Sequence, residues 1–270
     1  MVTLSGTHVV GTDRVNVSVV VITKNEEHNL HECLQSVRWA DEIVVVDAES
    51  TDCTVEVARK YTDKVVVRPW PGFGPQKNYG MDQASPDWIL ILDADERVTL
   101  ELQQEIQQVV KQWSSHDPVA YRVPRRNFYY GRWIRHGGVY PDYQIRFIRK
   151  GAARYNDMPV HENLIVEGGV GVLRGHLDHY TERRIADHFE KFELYTTLAA
   201  QQKLKSRHSV HWYDLLGRPL VILLKTYVIK QGFRDGIHGL ILSVFASMYT
   251  FVKYAKLWEL TQHADVHECK

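Results

Sequence analysis

The sequence predicts an α/β protein with a mostly parallel sheet, helices on both faces of that sheet, and a helical extension at the C-terminus. Strand and helix patterns alternate through the first hundred residues, which is typical of a parallel sheet covered by helices. Strands rich in aromatic residues and arginine follow from Pro118 to about Tyr180, and the pattern after that is helical. We therefore expect an α/β region at residues 1–180 and a helical extension at residues 181–270.

Four short runs of β-branched and other apolar residues predict the buried parallel strands. They cover Val15–Thr23, Glu42–Asp47, Lys64–Arg68 and Trp88–Leu92. Apolar residues with helical spacing predict helices over Asn29–Val37, Thr51–Tyr61, Pro75–Ala84 and Glu101–Trp113. A charged helix is predicted over Glu182–Arg207, and an apolar stretch follows it.

The composition fits an ordinary folded protein and excludes one class of partner. Apolar residues make up 44% of the 270 residues and charged residues 24%, which allows a sizeable core. Lysine plus arginine and aspartate plus glutamate each number 33, so the formal net charge is zero. A broad basic field is absent, and we expect no nucleic-acid partner.

Cysteines and apolar runs bear on the location of the protein. Cys33, Cys53 and Cys269 have no paired spacing, which predicts neither a disulfide framework nor a zinc site. The first residues lack the pattern of a signal peptide, and no apolar run reaches the roughly 18–20 residues of a spanning helix. We expect a cytoplasmic protein.

Polar side chains follow three of the predicted strands at their carboxyl ends. These sets are Thr23 to Glu26, Asp47 to Ser50, and Asp93 to Glu96. Ligands bind outside the carboxyl ends of strands in such sheets, so the three sets predict one shared site. The pair Asp93 and Asp95 can hold a hard divalent cation that also binds phosphate oxygens. The alternative is a solvated turn, because acids favour the start of a helix.

Two further residues, Asp47 and Lys77, could bind the ligand or have only a structural or surface role. Asp47 ends a strand where a carboxylate can accept a hydrogen bond from a base or a ribose, whereas Asp52 fits a helix cap. Lys77 lies near the start of a short helix after a loop rich in glycine and proline, where a lysine can meet a diphosphate. An ordinary surface lysine fits the same spacing.

The segments VSVVVITKNEE, VVVDAESTDCT, FGPQKNYG and WILILDADE together resemble the inverting nucleotide-sugar glycosyltransferases of family 2. The segments GGVYPDYQIRFIRKG, PVHENL and GFRDGIHGLILSVFASMYTFVKYAKLWE are similar to the lipopolysaccharide-core β-1,4-glucosyltransferases. The resemblance runs from Val15 to Glu259 and implies the A-type glycosyltransferase fold. It places a donor half at about 15–113 and an acceptor half at about 118–180. The chain departs from the family at Ala48-Glu49, where relatives carry small residues.

The resemblance also implies roles for individual residues. The donor-binding positions are Thr23, Asn25, Glu26 and Asp47 at the nucleoside, and Lys77, Asn78 and Asp93 near ribose and diphosphate. Asp95 falls where the family holds a divalent cation, Mn²⁺ or Mg²⁺, and His161 is a candidate further ligand. Inversion needs a carboxylate that takes the proton of the acceptor hydroxyl. Asp142 and Glu162 are both candidates, and the sequence does not choose between them.

The resemblance implies transfer of a hexose, glucose from UDP-glucose, to a glycolipid such as the lipopolysaccharide inner core. One alternative keeps the fold but uses a polyprenyl phosphate or another acceptor. An alternative of another class is a phosphatase or phosphotransferase with an aspartate nucleophile in the DxD motif. Those motifs have Thr or Val two residues further on, where this chain has Arg97. The oligomeric state is not predicted.

The apolar stretch near the C-terminus predicts contact with the inner membrane surface. Apolar residues recur at helical spacing from Ile237 to Val252, with hydroxyl-bearing residues such as Ser243 and Thr250 opposite them. Four lysines lie around this segment: Lys225, Lys230, Lys253 and Lys256. An amphipathic helix with basic flanks can lie in the interface of an anionic membrane, which predicts a peripheral protein on the cytosolic face. A core helix or a dimer helix is the alternative.

Overall fold

The computed structural model describes residues 16–156, 163–205 and 210–268, with side chains described as far as residue 262. Its centre is a sheet that joins ten of the described strands. The strands of the whole described chain are β1 (Val17–Thr23), β2 (Glu42–Asp47), β3 (Val65–Val67), β4 (Trp88–Asp93), β5 (Glu96–Val98), β6 (Ala120–Tyr129), β7 (Arg132–Trp133), β8 (Asp142–Arg149), β9 (Ala153–Tyr155), β10 (Leu164–Val166), β11 (Val170–Val172) and β12 (Leu177–Glu182).

Helices flank the sheet and extend beyond it. They are α1 (Leu30–Gln35), α2 (Thr54–Ala58), α3 (Phe73–Gln83), α4 (Leu100–Gln112), α5 (Ile185–Lys205), α6 (Trp212–Leu215), α7 (Gly217–Leu224) and α8 (Gly236–Glu268). A π-helical turn at Lys225–Ile229 and a 3₁₀ turn at Gly232–Asp235 connect α7 to α8. The predicted α/β fold with a helical C-terminal extension is confirmed.

The strand order is β3-β2-β1-β4-β8-β6-β12-β5, and the first four strands are parallel. Antiparallel pairing begins where β8 joins β4 and continues between β8 and β6. The sheet is therefore mixed, although β6 pairs in parallel with β11 and β12. In the register of β1, Thr23 lies opposite Asp47 and Ile22 lies opposite Asp93, so the three predicted strand ends meet at one edge.

Two element boundaries differ from the prediction for local reasons. Helix α2 starts at Thr54 and not at Thr51, because Ser50 and Thr51 form a loop whose backbone and side chains bind Asn25. Helix α5 starts at Ile185, and Glu182 is the last residue of β12. A charged residue predicted to open a surface helix thus ends a strand of the central sheet.

Apolar side chains pack on both faces of the sheet. On one face, Leu90, Leu92 and Phe147 are packed with residues of α1 and α4. On the other face, Val20 and Val46 pack with Met81 of α3. At Gly80 a Cβ atom would lie 2.4 Å from a methyl group of Val20, so glycine is required for this close approach. The contact fixes α3, and with it Lys77, against the strand ends.

The helical extension is fixed to the α/β region by a buried carboxylate. Asp235 accepts hydrogen bonds from the backbone N–H groups of Arg135 and His136, at 3.2 and 2.7 Å, and lies 3.1 Å from Nδ1 of His136. Further along, α8 packs against α5 and α7, with Ala200, Tyr254 and Leu257 buried between the helices. Removing α8 would expose this cluster, so α8 is part of the folded unit.

Helix α8 has its polar side buried and its apolar side exposed. Ser243, Thr250 and Tyr254 are 3%, 8% and 3% exposed, and the hydroxyl of Ser247 donates to the carbonyl oxygen of Pro219 at 2.9 Å. The opposite side keeps large apolar side chains in solvent: Ile237, Leu240, Val244, Met248 and Phe251. Not every predicted member of this stripe is exposed, because Phe245 packs inward against His188.

The exposed apolar surface continues beyond α8 into the segment before it. Large apolar side chains are exposed at Trp212, Leu216, Leu220, Val221, Leu224, Val228, Ile229 and Phe233. We call these residues, together with the five exposed residues of α8, the outer apolar face. By length and composition alone, the helical stretch Gly232–Gln262 is long and apolar enough to cross a membrane, and 28% of its most apolar window is buried. The sequence analysis had predicted no such segment.

Candidate active site

A cavity of about 720 Å³ opens at the carboxyl ends of β1 and β4. Four of the predicted site residues line it: Thr23, Glu26, Asp93 and Asp95. Trp70 and Phe73, which precede and begin α3, form another wall, and Lys191 and Tyr195 of α5 close the cavity from the side of the extension. The division of the chain at residue 180 stays a prediction, but it separates residues that line one cavity. We call this space the donor cavity.

Asp93 lies in a cluster of buried charges. Arg146 donates to Oδ2 of Asp93 at 2.5 Å and to Oε1 of Glu96 at 2.7 Å, and Nζ of Lys77 lies 3.4 Å from Oδ1 of Asp93. Burial alone would raise the pKa of Asp93, but Arg146 and then Lys77 outweigh it and hold that pKa well below its usual range. Asp93 is therefore ionised at neutral pH and holds Lys77, which does not itself line the donor cavity.

Asp95 lies beside a histidine that the sequence analysis did not select. Nε2 of His179 is 3.4 Å from Oδ2 of Asp95, and Nδ1 of the same ring is 2.7 Å from Oδ1 of Asn127. The amide oxygen can only accept, so Nδ1 carries a proton, and Nε2 faces Asp95, where it would bind a cation through its lone pair. A second hydrogen bond that orients the ring is typical of metal-binding histidines.

These donors fit a divalent cation that also binds phosphate. A carboxylate oxygen and an imidazole nitrogen suit Mn²⁺, and a diphosphate can complete the coordination. Within residues 16–156, 163–205 and 210–268, no group of three or more His, Cys, Asp or Glu side chains could hold a metal without such help. His161, the further ligand that the resemblance implies, lies outside the described residues, and so does Glu162.

Three predicted donor-binding residues have their side chains engaged within the protein. Both carboxylate oxygens of Asp47, which is fully buried, accept hydrogen bonds from Ser50. Oδ1 of Asn25 accepts from the N–H of Thr51 at 2.8 Å. The amide of Asn78 forms two hydrogen bonds of 2.9 Å with the backbone of Tyr155 and thereby fixes β9. Their roles in donor binding stay predictions, and none of the three lines the donor cavity.

Asp142, one of the two predicted bases, is surrounded by donors. Oδ2 accepts from Arg125 at 2.6 and 2.9 Å and from Asn127 at 3.2 Å, and Oδ1 accepts from Gln144 at 2.8 Å. Burial works to raise the pKa of Asp142, but Arg125 and these hydrogen bonds lower it below its usual value. The lowered pKa makes Asp142 a weaker base than an ordinary carboxylate.

Glu26 and Glu49 lie around the predicted nucleoside end of the site. Burial raises the pKa of Glu26, although the carboxylate accepts a hydrogen bond of 2.7 Å from Asn29. Glu49, at the position where relatives carry small residues, adopts a φ of +54° and is exposed. This left-handed backbone favours glycine, which gives the departure from the family a conformational cost.

The sequence analysis did not select several side chains of the site. Arg125 comes from β6, His179 and Glu182 from β12, and Lys191 from α5. No local motif marks these residues, because they reach the donor cavity through the parallel pairing of β6 with β12 and the packing of α5. A partial signal existed for Arg146, which lies in the segment GGVYPDYQIRFIRKG that carries the family resemblance.

The chain is similar to known glycosyltransferases over most of its length. The sequence profile of Glycosyl transferase family 2 matches residues 18–180. A lipopolysaccharide core biosynthesis glycosyltransferase, LpsC, from Rhizobium meliloti is 31% identical over 253 residues, which are 91% of this chain and 93% of the relative. An uncharacterized glycosyltransferase of Rickettsia typhi is 29% identical over 91% of this chain and 87% of its own length.

Among solved structures, TarS of S. aureus in complex with UDP-GlcNAc aligns over 92% of both chains, with 16% identity and a TM-score of 0.46. The mostly parallel curled sheet with flanking helices and the helix α8 beyond it agree with the A-type fold that the resemblance implied. The match of the family profile covers more than half of the chain, and the similarity to LpsC, over 91% of the chain, extends into the helical extension. The chain is an enzyme, a glycosyltransferase, and it belongs to Glycosyl transferase family 2.

Proposed function

We propose that this enzyme transfers a hexose, glucose from UDP-glucose, with inversion to a glycolipid acceptor such as the lipopolysaccharide inner core. The observation that carries the proposal is the position of Asp95 and His179 beside Thr23 and Glu26 in one cavity at the strand ends. Such a site can hold a nucleoside at one end and a cation-bound diphosphate at the other. The name of LpsC supports the choice of acceptor.

Each residue of the site would have a separate role in the transfer. Thr23 and Glu26 would bind the nucleoside, and Lys77, held by Asp93, would lie near the diphosphate. A divalent cation held by Asp95, with His179, would supply positive charge that offsets the charge developing on the leaving group. Lys191, which lies in the same cavity, adds a further positive charge from α5. The predicted bases, Asp142 and Glu162, stay predictions.

The enzyme would reach a lipid-linked acceptor by lying on the membrane with its outer apolar face. In water, a surface helix normally buries its apolar side, and α8 does the opposite. Exposed Lys225, Lys230 and Arg234 lie in the same segment and would favour an anionic surface. The other two predicted membrane lysines face inward: Lys253 lies over the rings of Tyr249 and Tyr254, and Lys256 donates to residues of α5.

The test is the release of UDP from a panel of nucleotide sugars, with and without Mn²⁺. The acceptor probes are deacylated heptose-terminated lipopolysaccharide core and, separately, a polyprenyl phosphate. We expect release from UDP-glucose that depends on Mn²⁺ and is stimulated by the core oligosaccharide. Stimulation by the polyprenyl phosphate and not by the core oligosaccharide would show that the acceptor is a polyprenyl phosphate. Release of inorganic phosphate in place of UDP would favour the phosphatase class.

A further inference from the structure

A second cavity, of about 420 Å³, lies between α5 and α8 and adjoins the donor cavity. Five of its eleven lining residues are Phe or Tyr: Tyr129, Phe192, Tyr195, Phe245 and Tyr249. Flat aromatic rings suit the apolar C–H faces of a sugar, and a few polar groups among them can fix its orientation. We call this space the aromatic cavity. It is formed largely by the helical extension and not by the segment 118–180 that the sequence predicted as the acceptor half.

Glu182 lies where the two cavities meet. It lines both of them, as do Tyr129, Lys191 and Tyr195. The residue is 9% exposed, and its buried Oε2 accepts no hydrogen bond from any group that the structure describes. Buried carboxylate oxygens are normally hydrogen-bonded, so a free one between two cavities needs an explanation. A rotation of the side chain would bring Oε2 to the surface of the aromatic cavity, where a hydroxyl group of a ligand would provide the missing donor.

The groups around Glu182 hold its side chain in place. Nζ of Lys191 lies 3.6 Å from Oε1 and donates to the carbonyl oxygen of Thr181, and Nδ1 of His188 lies 4.0 Å from Oε2. Tyr130 bonds to the same nitrogen of His188 at 2.7 Å, and Tyr129 is a further titratable neighbour. Burial, and after it the charge of Glu182, raises the pKa of Tyr129 to about 12, so neither tyrosine competes as a base at neutral pH.

The other carboxylates that line the donor cavity have different partners. Glu26 accepts from Asn29, Asp93 is held by Arg146, and Asp95 lies beside His179. Asp142 lines neither cavity. Of the carboxylates that line the donor cavity, Glu182 is the one that also lines the aromatic cavity, and its buried Oε2 lacks a hydrogen-bond donor.

We propose that the aromatic cavity receives the sugar of the acceptor and that Glu182 takes the proton from its attacking hydroxyl group. This rests on the proposed function. The acceptor oxygen forms a bond to the anomeric carbon of the donor while the bond from that carbon to the diphosphate oxygen breaks. The electron pair of the broken bond leaves with UDP. The proton moves to Oε2 of Glu182 and then to water.

The test compares Glu182→Gln with Glu190→Gln, a matched control on the exposed side of α5. Three quantities are measured: the affinity for UDP with Mn²⁺ by calorimetry, the release of UDP from UDP-glucose in water alone, and transfer to deacylated heptose-terminated core. For Glu182→Gln we expect both rates to fall by about 100- to 10,000-fold while the affinity for UDP changes less than threefold. The control should retain all three, and Glu182→Asp should recover part of the lost rate.

The aromatic cavity is tested by Ala246→Phe, which fills it from α8. We expect a raised KM for the core oligosaccharide, with UDP affinity and UDP release in water unchanged. Rates of Glu182→Gln within threefold of wild type, or loss of transfer alone, would overturn the assignment of Glu182. Loss of UDP affinity in that variant would show a donor-binding or structural role. Normal transfer by Ala246→Phe would overturn the acceptor cavity, and a wild-type protein without UDP affinity would overturn the proposed function itself.

Discussion

The outer apolar face allows a quantitative prediction about membrane binding. We consider the triple substitution of Val221, Ile229 and Ile237 by serine, since these side chains are 61%, 74% and 67% exposed and support no described core. A truncation of α8 would be a poorer perturbation, because Phe245, Tyr254 and Leu257 on its inner side are buried against the rest of the protein. The serine variant should fold like the wild type.

The size of the effect follows from the exposed area. Full burial of a large aliphatic side chain stabilises by about 1.5–3 kcal/mol, so burying the exposed part of each of these three contributes about 1–2 kcal/mol. Together they contribute about 3–6 kcal/mol, and about 1.4 kcal/mol corresponds to a tenfold change in binding. We expect the variant to bind anionic liposomes about 100- to 10,000-fold more weakly than the wild type.

The assay is flotation with liposomes of anionic and of neutral lipids, at low and at high salt. The matched control replaces Leu100, Ile165 and Val172 by serine, because these side chains are similarly exposed, at 62%, 60% and 56%, but lie outside the extension. Unchanged flotation of the first variant, or equal loss in both, would refute the assignment of the outer apolar face. A wild-type protein that does not float but forms dimers, which the first variant loses, would show that a second copy covers this face.

Four further predictions concern the site. Asp95→Asn should abolish activity that depends on Mn²⁺ with little change in melting temperature; an active variant would remove Asp95 from the cation site. Asp47→Ala should weaken donor affinity more than turnover at saturating donor, and should also lower the melting temperature, because Ser50 loses the acceptor of two hydrogen bonds; calorimetry with UDP checks it. Of Asp142→Asn and Glu162→Gln, a variant that keeps near-normal transfer is excluded as the base. Arg146→Met should cost about 3–5 kcal/mol at neutral pH by denaturant unfolding, since it leaves Asp93 and Glu96 buried without their shared partner.

The sign of the pH dependence for Arg146→Met follows from the lowered pKa of Asp93. A carboxylate with a lowered pKa in the folded state stabilises the fold above its unfolded pKa, and the contribution is lost as the pH falls through the folded value. The difference between wild type and variant should therefore shrink on acidification. A difference that grows towards acid would contradict the cluster of buried charges.

The sequence predicted the strand ends of the site well, because a fully buried parallel strand is a continuous apolar run that ends abruptly. β1 and β4 are such runs, and parallel pairing then brings Thr23, Asp47 and Asp93 to one edge regardless of the rest of the fold. The prediction needed only that neighbouring strands pair in parallel.

The remaining residues of the site could not be predicted in this way. His179 and Glu182 belong to β12, which pairs with β6 more than fifty residues earlier in the chain, and a bulge between Tyr180 and Glu182 alters the register there. Register depends on the pairing of distant segments, and shifting it by one residue moves every side chain to the other face. The spacing of acids and histidines along the chain holds no information about that register.

Helix α8 shows a second limit of sequence patterns. The hydroxyl-bearing and apolar sides were predicted at the correct spacing, but a pattern does not state which side faces the protein. The carbonyl oxygen of Pro219 in α7 accepts a hydrogen bond from the hydroxyl of Ser247, and residues of α5 accept hydrogen bonds from Lys256. The polar side of α8 is therefore hydrogen-bonded inside the bundle. The apolar side is left to the solvent.

The bundle of α5, α7 and α8 connects the donor cavity to the proposed membrane-binding face. Lys191 and Tyr195 of α5 line the donor cavity, and Phe192 between them packs against Phe245 of α8. The opposite side of α8 belongs to the outer apolar face. A bilayer on that face would therefore lie one helix away from the aromatic cavity. A glycolipid anchored there by its acyl chains would need to lift only its sugar into the cavity, so membrane attachment and acceptor supply would follow from one arrangement of α5, α7 and α8.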